Sequence, residues 1–346
     1  MMNPSSRHML ENLLARRDLT ETQASELLKL MTQPDLAPAM AGALLAALRS
    51  KGVIAAEVRG LAGAMRDLAR KPALPVAPDA IDIVGTGGDA SGSLNLSTGA
   101  ALLTAACGLP VIKHGNRSVS SRCGSADLIE QLGFRLPLDE QRAAQCFAAT
   151  GFTFLFAPYF HPAMRSIAPV RAALGVRTVF NLLGPLTNPA APRFHLIGAY
   201  DADAALLMAE SLAGTGAERA WVIHGAAGWD EATPIGPFLA FDVTRGGISR
   251  LEVDPRDFGL ASCTAADLAG GDAAANLASL KDVFGSRDHG PHRAALALQC
   301  GLALYIAGRA PTIEAGIAAA QAALDSGRAW EWLGRLEAFA EECGGS

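Results

Sequence analysis

The spacing of apolar residues over the first seventy positions is typical of amphipathic helices. Thr20 and Gln23 form a capping box ahead of a leucine-rich run, and Gly52 is placed to end a helix that begins near Pro38. A third helical pattern covers 54–70 and stops before a proline-rich stretch. The pattern therefore predicts an all-helical first unit that is followed by a linker at 71–79.

After this linker, short apolar runs alternate with helical patterns. The predicted strands are 81–84, 110–114, 152–156, 195–200 and 220–224, and the predicted helices between them are 98–107, 126–132, 140–149 and 202–212. Such βα alternation favours a mostly parallel sheet covered by helices. A hairpin around Gly246 and Gly247 follows, and the last seventy residues are again helical. The fold class we expect is α/β, with a small all-helical domain and a larger α/β domain.

Length and charge narrow the class of protein. The chain has 346 residues, of which half are hydrophobic and 18% are charged, as in a compact globular protein of about two domains. Its 29 basic and 34 acidic residues give a net charge of -5, which provides no overall basic field for nucleic acid. The amino terminus has no apolar signal segment, and the apolar stretches are shorter than the ~20 residues of a membrane helix. We expect a soluble cytoplasmic protein without nucleic-acid or membrane partners.

The positions of the cysteines indicate neither disulfide bonds nor a metal site. Six of them are scattered along the chain without a C-x-x-C pair. A chain of this size does not depend on disulfides, so we expect neither structural disulfides nor a zinc knuckle.

The first feature with chemical content is a glycine-rich loop after the first strand. Gly85-Thr86-Gly87-Gly88-Asp89 leads through small polar residues to a predicted helix start at Ser97. Three glycines in four residues allow a ligand close to the backbone, and a helix amino terminus attracts phosphate. The loop matches neither common nucleotide fingerprint. Alone it fits a tight turn capped by Ser97 as well as a phosphate cradle.

A basic loop follows the second strand. The segment 113–125 places three cations among four serines and two glycines. If the first two strands are parallel neighbours, both loops leave the same edge of the sheet, where ligands bind in open α/β folds. Asp230 and Glu231 follow a later strand and are the ligand type that Mg²⁺ takes together with substrate phosphates. An isolated acidic pair would be an ordinary solvated loop, but the three features together predict a metal-bridged polyphosphate site.

Arginines and an apolar turn supply a possible second subsite. Arg165 and Arg171 are six residues apart on a predicted helix that runs from 162 to 175, so at most one of them points at a given ligand. A guanidinium suits a carboxylate because it donates two parallel hydrogen bonds. The segment 181–186, Asn-Leu-Leu-Gly-Pro-Leu, reads either as core and turn or as an apolar wall of the subsite.

In order and spacing, these motifs resemble the anthranilate phosphoribosyltransferase family over nearly the whole chain. The segments that carry the resemblance are 85–89, 95–98, 113–121, 170–171 with 181–189, and 230–231. The resemblance implies a helical domain at 1–71, completed by a helical segment around 162–190, and an α/β domain at 72–346. It also implies a homodimer formed through the helical domain. The activity implied is transfer of the 5-phosphoribosyl group from phosphoribosyl pyrophosphate (PRPP) to the amine of anthranilate, with release of pyrophosphate, in tryptophan biosynthesis.

The resemblance also implies roles for individual residues. Lys113, Arg171, Asp230 and Glu231 would be catalytic; Ser97, Asp230 and Glu231 would hold two Mg²⁺ ions; and Gly85, Asn116 and Arg171 would contact anthranilate, near His114 and Pro185. The implied PRPP site is Gly85, Gly88, Asp89, Ser93, Asn95, Leu96, Ser97, Thr98, Lys113, His114, Gly115, Asn116, Arg117, Ser118, Val119, Ser120, Ser121 and Ser125.

Three departures from the family pattern bear on the rate and on the acceptor. Ala227-Gly228-Trp229 replaces a common Asp-Gly pair and the residue after it, Arg122-Cys123 replaces Lys-Ser, and 232–238 is unusual. Two alternatives stay open. A pyrimidine nucleoside phosphorylase would carry Lys-His-Ser where this chain has Lys113-His114-Gly115, and a nucleic-acid-binding paralogue is disfavoured by the net charge of -5.

Overall fold

The protein is described by a computed structural model over residues 4–75, 78–89, 91–118 and 122–344. The helices in these ranges are α1 (Pro4–Leu14), α2 (Glu21–Met31), α3 (Pro38–Lys51), α4 (Ala55–Asp67), α5 (Leu96–Ala106), α6 (Ser125–Gln131), α7 (Glu140–Thr150), α8 (Ala157–Phe160), α9 (Ala168–Leu174), α10 (Phe180–Leu186), α11 (Ala202–Leu212), α12 (Ala273–Phe284), α13 (Pro291–Ile306), α14 (Ile313–Asp325) and α15 (Arg328–Gly344). The strands are β1 (Ile81–Gly85), β2 (Val111–Gly115), β3 (Phe152–Phe156), β4 (Phe194–Gly198), β5 (Arg219–His224), β6 (Phe238–Thr244) and β7 (Gly247–Val253).

The seven strands form one sheet in the order β3-β2-β1-β4-β5-β6-β7. The first five strands are parallel, and β6 and β7 add an antiparallel hairpin at one edge. The chain leaves β1 on one side toward β2 and later returns to its other side as β4. This reversal lies at the carboxyl end of β1, which is where ligands bind in open α/β sheets.

Side chains from the two faces of the sheet enter two separate apolar cores. Leu196 and Trp221 pack on one face with α5, α6, α7 and α12 to α15, whereas their neighbours Ile197 and Val222 pack on the other face. This second core also contains the apolar sides of α1 to α4 and of α9 to α11. The alternation follows from the two-residue period of a strand, with both faces covered.

A helical amino-terminal domain and a larger α/β domain with a mostly parallel sheet confirm the predicted fold class. The capping box at Thr20 and Gln23 is present, α3 ends at Gly52 with φ 91°, and the hairpin around Gly246 and Gly247 is β6 and β7. The single helix predicted over 162–175 is wrong in detail. A 3₁₀ turn at Pro162–Arg165 is separated from α9.

Within the described ranges, no helix has both the length and the apolar character needed to span a bilayer.

Candidate active site

The central cluster of polar groups lies where β1, β2 and α5 meet. Lys113, on β2, is buried, and its ammonium donates to the Ile83 carbonyl of β1 and to the Ser97 hydroxyl at 2.9 Å. The Ser97 hydroxyl itself donates to the same carbonyl at 3.0 Å. The prediction that Ser97 caps the helix is therefore wrong. Asn95 is the residue at the cap position, and Ser97 lies in the first turn with its hydroxyl turned toward the sheet.

Glu231 supplies the acceptor that the amino terminus of α5 needs. Its Oε1 accepts the Ser97 backbone N–H at 3.1 Å, and its Oε2 accepts the Ser93 hydroxyl at 3.1 Å. The first N–H groups of a helix have no partner inside the helix and carry a partial positive charge, so a carboxylate is favoured there. The contact brings together three predicted site residues from segments more than 130 positions apart in sequence.

Asp230 closes the glycine loop from the opposite side. Its Oδ2 accepts the Gly87 N–H at 2.6 Å, and its own N–H donates to Asp89 Oδ2 at 3.3 Å. Gly87 and Gly88 have φ of 65° and 74°, the left-handed conformation that glycine adopts without strain. The loop is thus folded around the acidic pair.

Two strand-end glycines make room for this arrangement. Gly85 and Gly198 are paired in register on β1 and β4. A Cβ on Gly85 would overlap the Asp230 carboxylate, and a Cβ on Gly198 would overlap the Asp230 backbone carbonyl. The Asp230 segment can therefore lie directly against the sheet edge only because both positions lack a side chain.

Burial and mutual repulsion set the charge state of the acidic pair. Burial, the nearby Asp89 carboxylate and a hydrogen bond with it raise the pKa of Asp230 to about 7. Burial, Asp230 and Asp89 raise the pKa of Glu231 to about 8. Burial lowers the pKa of Lys113 to about 8, against the pull of Asp82, Glu231 and Asp230. A cation at this position would favour the ionised form of both acids.

The basic loop after β2 is held by α6. Asn116 accepts the Ser125 hydroxyl through its backbone carbonyl at 3.0 Å, and the Asp127 carboxylate accepts the Gly124 N–H at 2.7 Å. Arg117 forms ion pairs with Glu130 and Asp127, so its guanidinium is directed toward α6. The predicted site residues Val119, Ser120 and Ser121 lie outside the described residues.

The remaining predicted residues are distributed as follows. Leu96 and Thr98 are buried in the first turns of α5, and Gly88 accepts a hydrogen bond from Arg177 through its carbonyl. His114 Nδ1 lies 3.2 Å from the Gly184 carbonyl, directly before Pro185, and its ring contacts His161. Gly115 ends β2, where a Cβ would overlap the Ser125 hydroxyl.

Arg171 lies on α9 and is partly buried. Its guanidinium carbon is 5.0 Å from the centre of the Phe180 ring, and it forms no ion pair with any residue in the described ranges. Burial lowers the pKa of this guanidinium. A half-buried cation on an aromatic face is suited to an incoming carboxylate.

Two residues at the site were not predicted. The Arg177 guanidinium donates to the Gly88 carbonyl of the glycine loop, and it also lies 4.1 Å from the Tyr200 ring centre. Asn276, on α12, donates to Asn95 Oδ1 at 2.8 Å. Neither residue belongs to a local motif, so only the tertiary fold reveals them.

The donor set fits Mg²⁺ better than a transition metal. Two carboxylates and a serine hydroxyl are hard oxygen ligands. Burial and the neighbouring carboxylates raise the pKa of Asp230 and of Glu231, and a bound cation would offset both effects. Within the described residues, no group of three His, Cys, Asp or Glu side chains converges on one metal position. A Mg²⁺ ion completed by substrate phosphates and water does not require one.

Comparison with models of protein families identifies the general class of enzyme to which the chain is similar. Residues 7–69 match the helical bundle domain of the glycosyl transferase family, and residues 77–330 match its a/b domain. The chain thus has the two-part organisation of this class of transferase.

Individual relatives narrow the class. The chain is 44% identical over 333 residues, 96% of each chain, to the anthranilate phosphoribosyltransferase of Rubrobacter xylanophilus. The structure of the Thermus thermophilus enzyme matches with a TM-score of 0.90 at 41% identity, covering 96% of this chain and 99% of that one. The Saccharomyces cerevisiae enzyme in complex with PRPP and Mg matches with a TM-score of 0.88 at 25% identity, covering 99% of both chains. The chain belongs to the anthranilate phosphoribosyltransferase family.

Proposed function

We propose that the protein transfers the 5-phosphoribosyl group of PRPP to the amine of anthranilate, releasing pyrophosphate and forming N-(5-phosphoribosyl)anthranilate in tryptophan biosynthesis. The observation that carries the proposal is the cluster of Lys113, Ser97 and Glu231 at the carboxyl edge of the sheet. It joins the glycine loop, a helix amino terminus and the acidic pair in one place. These are the groups that an anionic leaving group and its metal require.

The donor half of the site would consist of the two loops and α5. The glycine loop from Gly85 to Asp89, the first turn of α5 and the basic loop present backbone N–H groups, hydroxyls and the Lys113 charge. Ser97, Asp230 and Glu231 would hold two Mg²⁺ ions. When bound there, Mg²⁺ would neutralise charge on the departing pyrophosphate. Support for magnesium comes from the donor set and from the PRPP and Mg complex of the yeast enzyme.

The acceptor half would consist of Arg171, Asn116 and Gly85, with His114 and Pro185 beside them. The Arg171 guanidinium would bind the anthranilate carboxylate through two parallel hydrogen bonds and so orient the amine toward the ribose. We assign no dedicated general base. The aromatic amine attacks in its neutral form, and its proton can leave after the new bond has formed.

The experiment follows the loss of anthranilate fluorescence with purified protein, PRPP and Mg²⁺. The wild type should consume anthranilate, and Asp230→Ala/Glu231→Ala should not. The matched control, Glu252→Ala/Asp257→Ala, removes two exposed carboxylates distant in sequence from the motifs and should retain activity. Binding of PRPP in calorimetry without turnover would overturn anthranilate as the acceptor, and absence of both would overturn PRPP as the donor as well.

We further propose a division of the chain at 71/72, with 162–190 completing the helical domain. Packing of α9 on α3 and of α10 on α4 supports this. The homodimer would form through the helical domain, where Leu14 at the end of α1 is 67% exposed. Sedimentation velocity would test the dimer. A cytoplasmic location is consistent with a biosynthetic enzyme that acts on small charged metabolites.

A further inference from the structure

A short segment before α12 packs against residues 92–94, which connect the glycine loop to α5. Backbone hydrogen bonds of 2.9 Å join Gly270 N–H to the Gly92 carbonyl and Leu94 N–H to the Leu268 carbonyl. A Cβ on Gly270 would lie 2.6 Å from the Ser93 carbonyl oxygen, so the two backbones are in close contact. The segment 268–271 is therefore the platform on which residues 92–94 rest.

Asn276 extends this support to Asn95. Its side chain is 2% exposed and makes two hydrogen bonds in opposite senses. Its Oδ1 accepts the Gly271 N–H at 2.6 Å, and its Nδ2 donates to Asn95 Oδ1 at 2.8 Å. Asn95 Nδ2 then donates to the Cys123 carbonyl of the basic loop at 3.0 Å.

The direction of this chain of hydrogen bonds is fixed at both ends. The Gly271 N–H can only donate, so Asn276 must turn its oxygen toward it and its NH₂ toward Asn95. The Cys123 carbonyl can only accept, so Asn95 must turn its NH₂ toward Cys123 and its oxygen toward Asn276. Either amide in the reverse orientation would place two donors or two acceptors against each other.

Asn95 does not need this orientation for its local role. It is the residue at the cap position of α5, yet its side chain makes no capping hydrogen bond. Both of its polar atoms are used instead to join the platform to the basic loop. Cys123 stands at the position where the family commonly has serine, and its backbone carbonyl is the acceptor at this end of the hydrogen-bond chain.

We propose that Asn276 is a positioning residue for the phosphoribosyl donor. It fixes the amide of Asn95 and thereby holds residues 92–95, which follow the glycine loop, and the basic loop at the spacing that PRPP requires. This inference rests on the proposed function, because it assigns the donor to these two loops. Asn276 itself does not have to touch the substrate.

The test compares Asn276→Leu, which has nearly the same size but no polar atoms, with Val283→Ala. Val283 is fully buried on the same helix and has no part in the hydrogen-bond chain, so it reports general loosening of α12. For Asn276→Leu, we expect both the KM for PRPP and the calorimetric Kd of PRPP with Mg²⁺ to rise about tenfold, the scale of one lost buried hydrogen bond. The KM for anthranilate and kcat should stay within about twofold.

Val283→Ala should lower the melting temperature without changing the KM for PRPP. An unchanged Kd of PRPP in Asn276→Leu, or an equal rise in both KM values, would overturn the inference. If Asn276→Leu does not fold, Asn276→Ser replaces it, since one hydroxyl cannot span Gly271 and Asn95. A wild type that binds PRPP but leaves anthranilate unconsumed would overturn the proposed function alone, and the calorimetric comparison would still decide the role of Asn276.

Discussion

Arg171 is a cation that the fold has partly removed from water without giving it an acidic partner in the described residues. Desolvation of a charge is unfavourable unless a partner replaces the lost water. Arg165, six residues earlier in the sequence, is exposed at the end of the preceding 3₁₀ turn, so its charge remains hydrated. The contrast identifies Arg171 as the one of the two arginines whose charge a ligand carboxylate would complete.

We therefore predict that Arg171→Ala raises the KM for anthranilate about 10- to 100-fold, the range expected for a lost hydrogen bond to a charged group. The KM for PRPP should change little, because Arg171 has no hydrogen bond or ion pair with the glycine loop or with the described part of the basic loop. Steady-state kinetics with each substrate varied in turn measures both constants, and Arg165→Ala is the matched control. Equal increases in the two KM values would show that Arg171 does not serve the acceptor.

At the scale of single residues, the sequence identified the chemistry but not every contact. Asp230, Glu231 and Lys113 were predicted from their motifs and lie together in the structure. The hydroxyl of Ser97 was assigned to the helix cap, whereas it faces Ile83 and Lys113. A capping residue is recognised from its local neighbours, and these two partners lie 14 and 16 positions away in sequence.

The loop from β5 to β6 holds an alanine, Ala227, in the left-handed backbone conformation that favours glycine. Ala227 has φ 59° and ψ 16°, and it is exposed, followed by Gly228 with φ 80°. A left-handed alanine costs about 1 kcal/mol relative to glycine. The family commonly has an Asp-Gly pair here, and aspartate tolerates this region better than alanine does. The loop nevertheless delivers Asp230 and Glu231 to the site.

We predict that Ala227→Gly raises the free energy of unfolding by about 0.5–1 kcal/mol, because it removes this steric strain. Urea denaturation followed by circular dichroism measures the change. Ala226→Gly is the control, since Ala226 is not among the residues with positive φ and its replacement should destabilise the protein by a similar amount. If both variants destabilise the protein equally, the conformation at Ala227 carries no strain.

The limits of most helices and strands can be predicted from the periodicity of apolar residues. The others are set by contacts with residues that are distant in sequence. β3 and α11 have the predicted limits, 152–156 and 202–212, because each is bounded by clear turn or capping residues. The segment 162–175 was predicted as one helix, but it breaks between Arg165 and Ala168. Pro162 and Pro169 each fit the first turn of a helix, and a pattern of apolar residues does not show that a second helix begins at Ala168.

For the molecule as a whole, the dependence of the unfolding free energy on pH has contributions from both buried histidines and buried acids. Burial lowers the pKa of His195 to about 4 and of His161 to about 4, so both stay neutral in the folded protein at pH 5 while the unfolded chain binds protons. Burial raises the pKa of Asp230 to about 7 and of Glu231 to about 8, so these acids bind protons more readily when folded. The histidines destabilise the fold as the pH falls from 6.5 toward 4, and the acids do the opposite between about 8 and 4.

Because these contributions oppose one another, the sign of the slope of unfolding free energy against pH in the wild type does not reveal the contribution of a single group. Replacing one histidine does reveal it. His195→Gln removes a group whose folded pKa lies below its unfolded value. The slope of unfolding free energy against pH between pH 5 and 6 should therefore be less positive than in the wild type, whatever the sign of the wild-type slope. The difference should be about 1 kcal/mol per pH unit, the value for nearly one proton taken up on unfolding. Urea titrations at fixed pH steps measure it, with the exposed His8→Gln as control. Equal slopes in His195→Gln and in the wild type would mean that His195 reaches water in the folded protein, and that the core face of β4 opens near it.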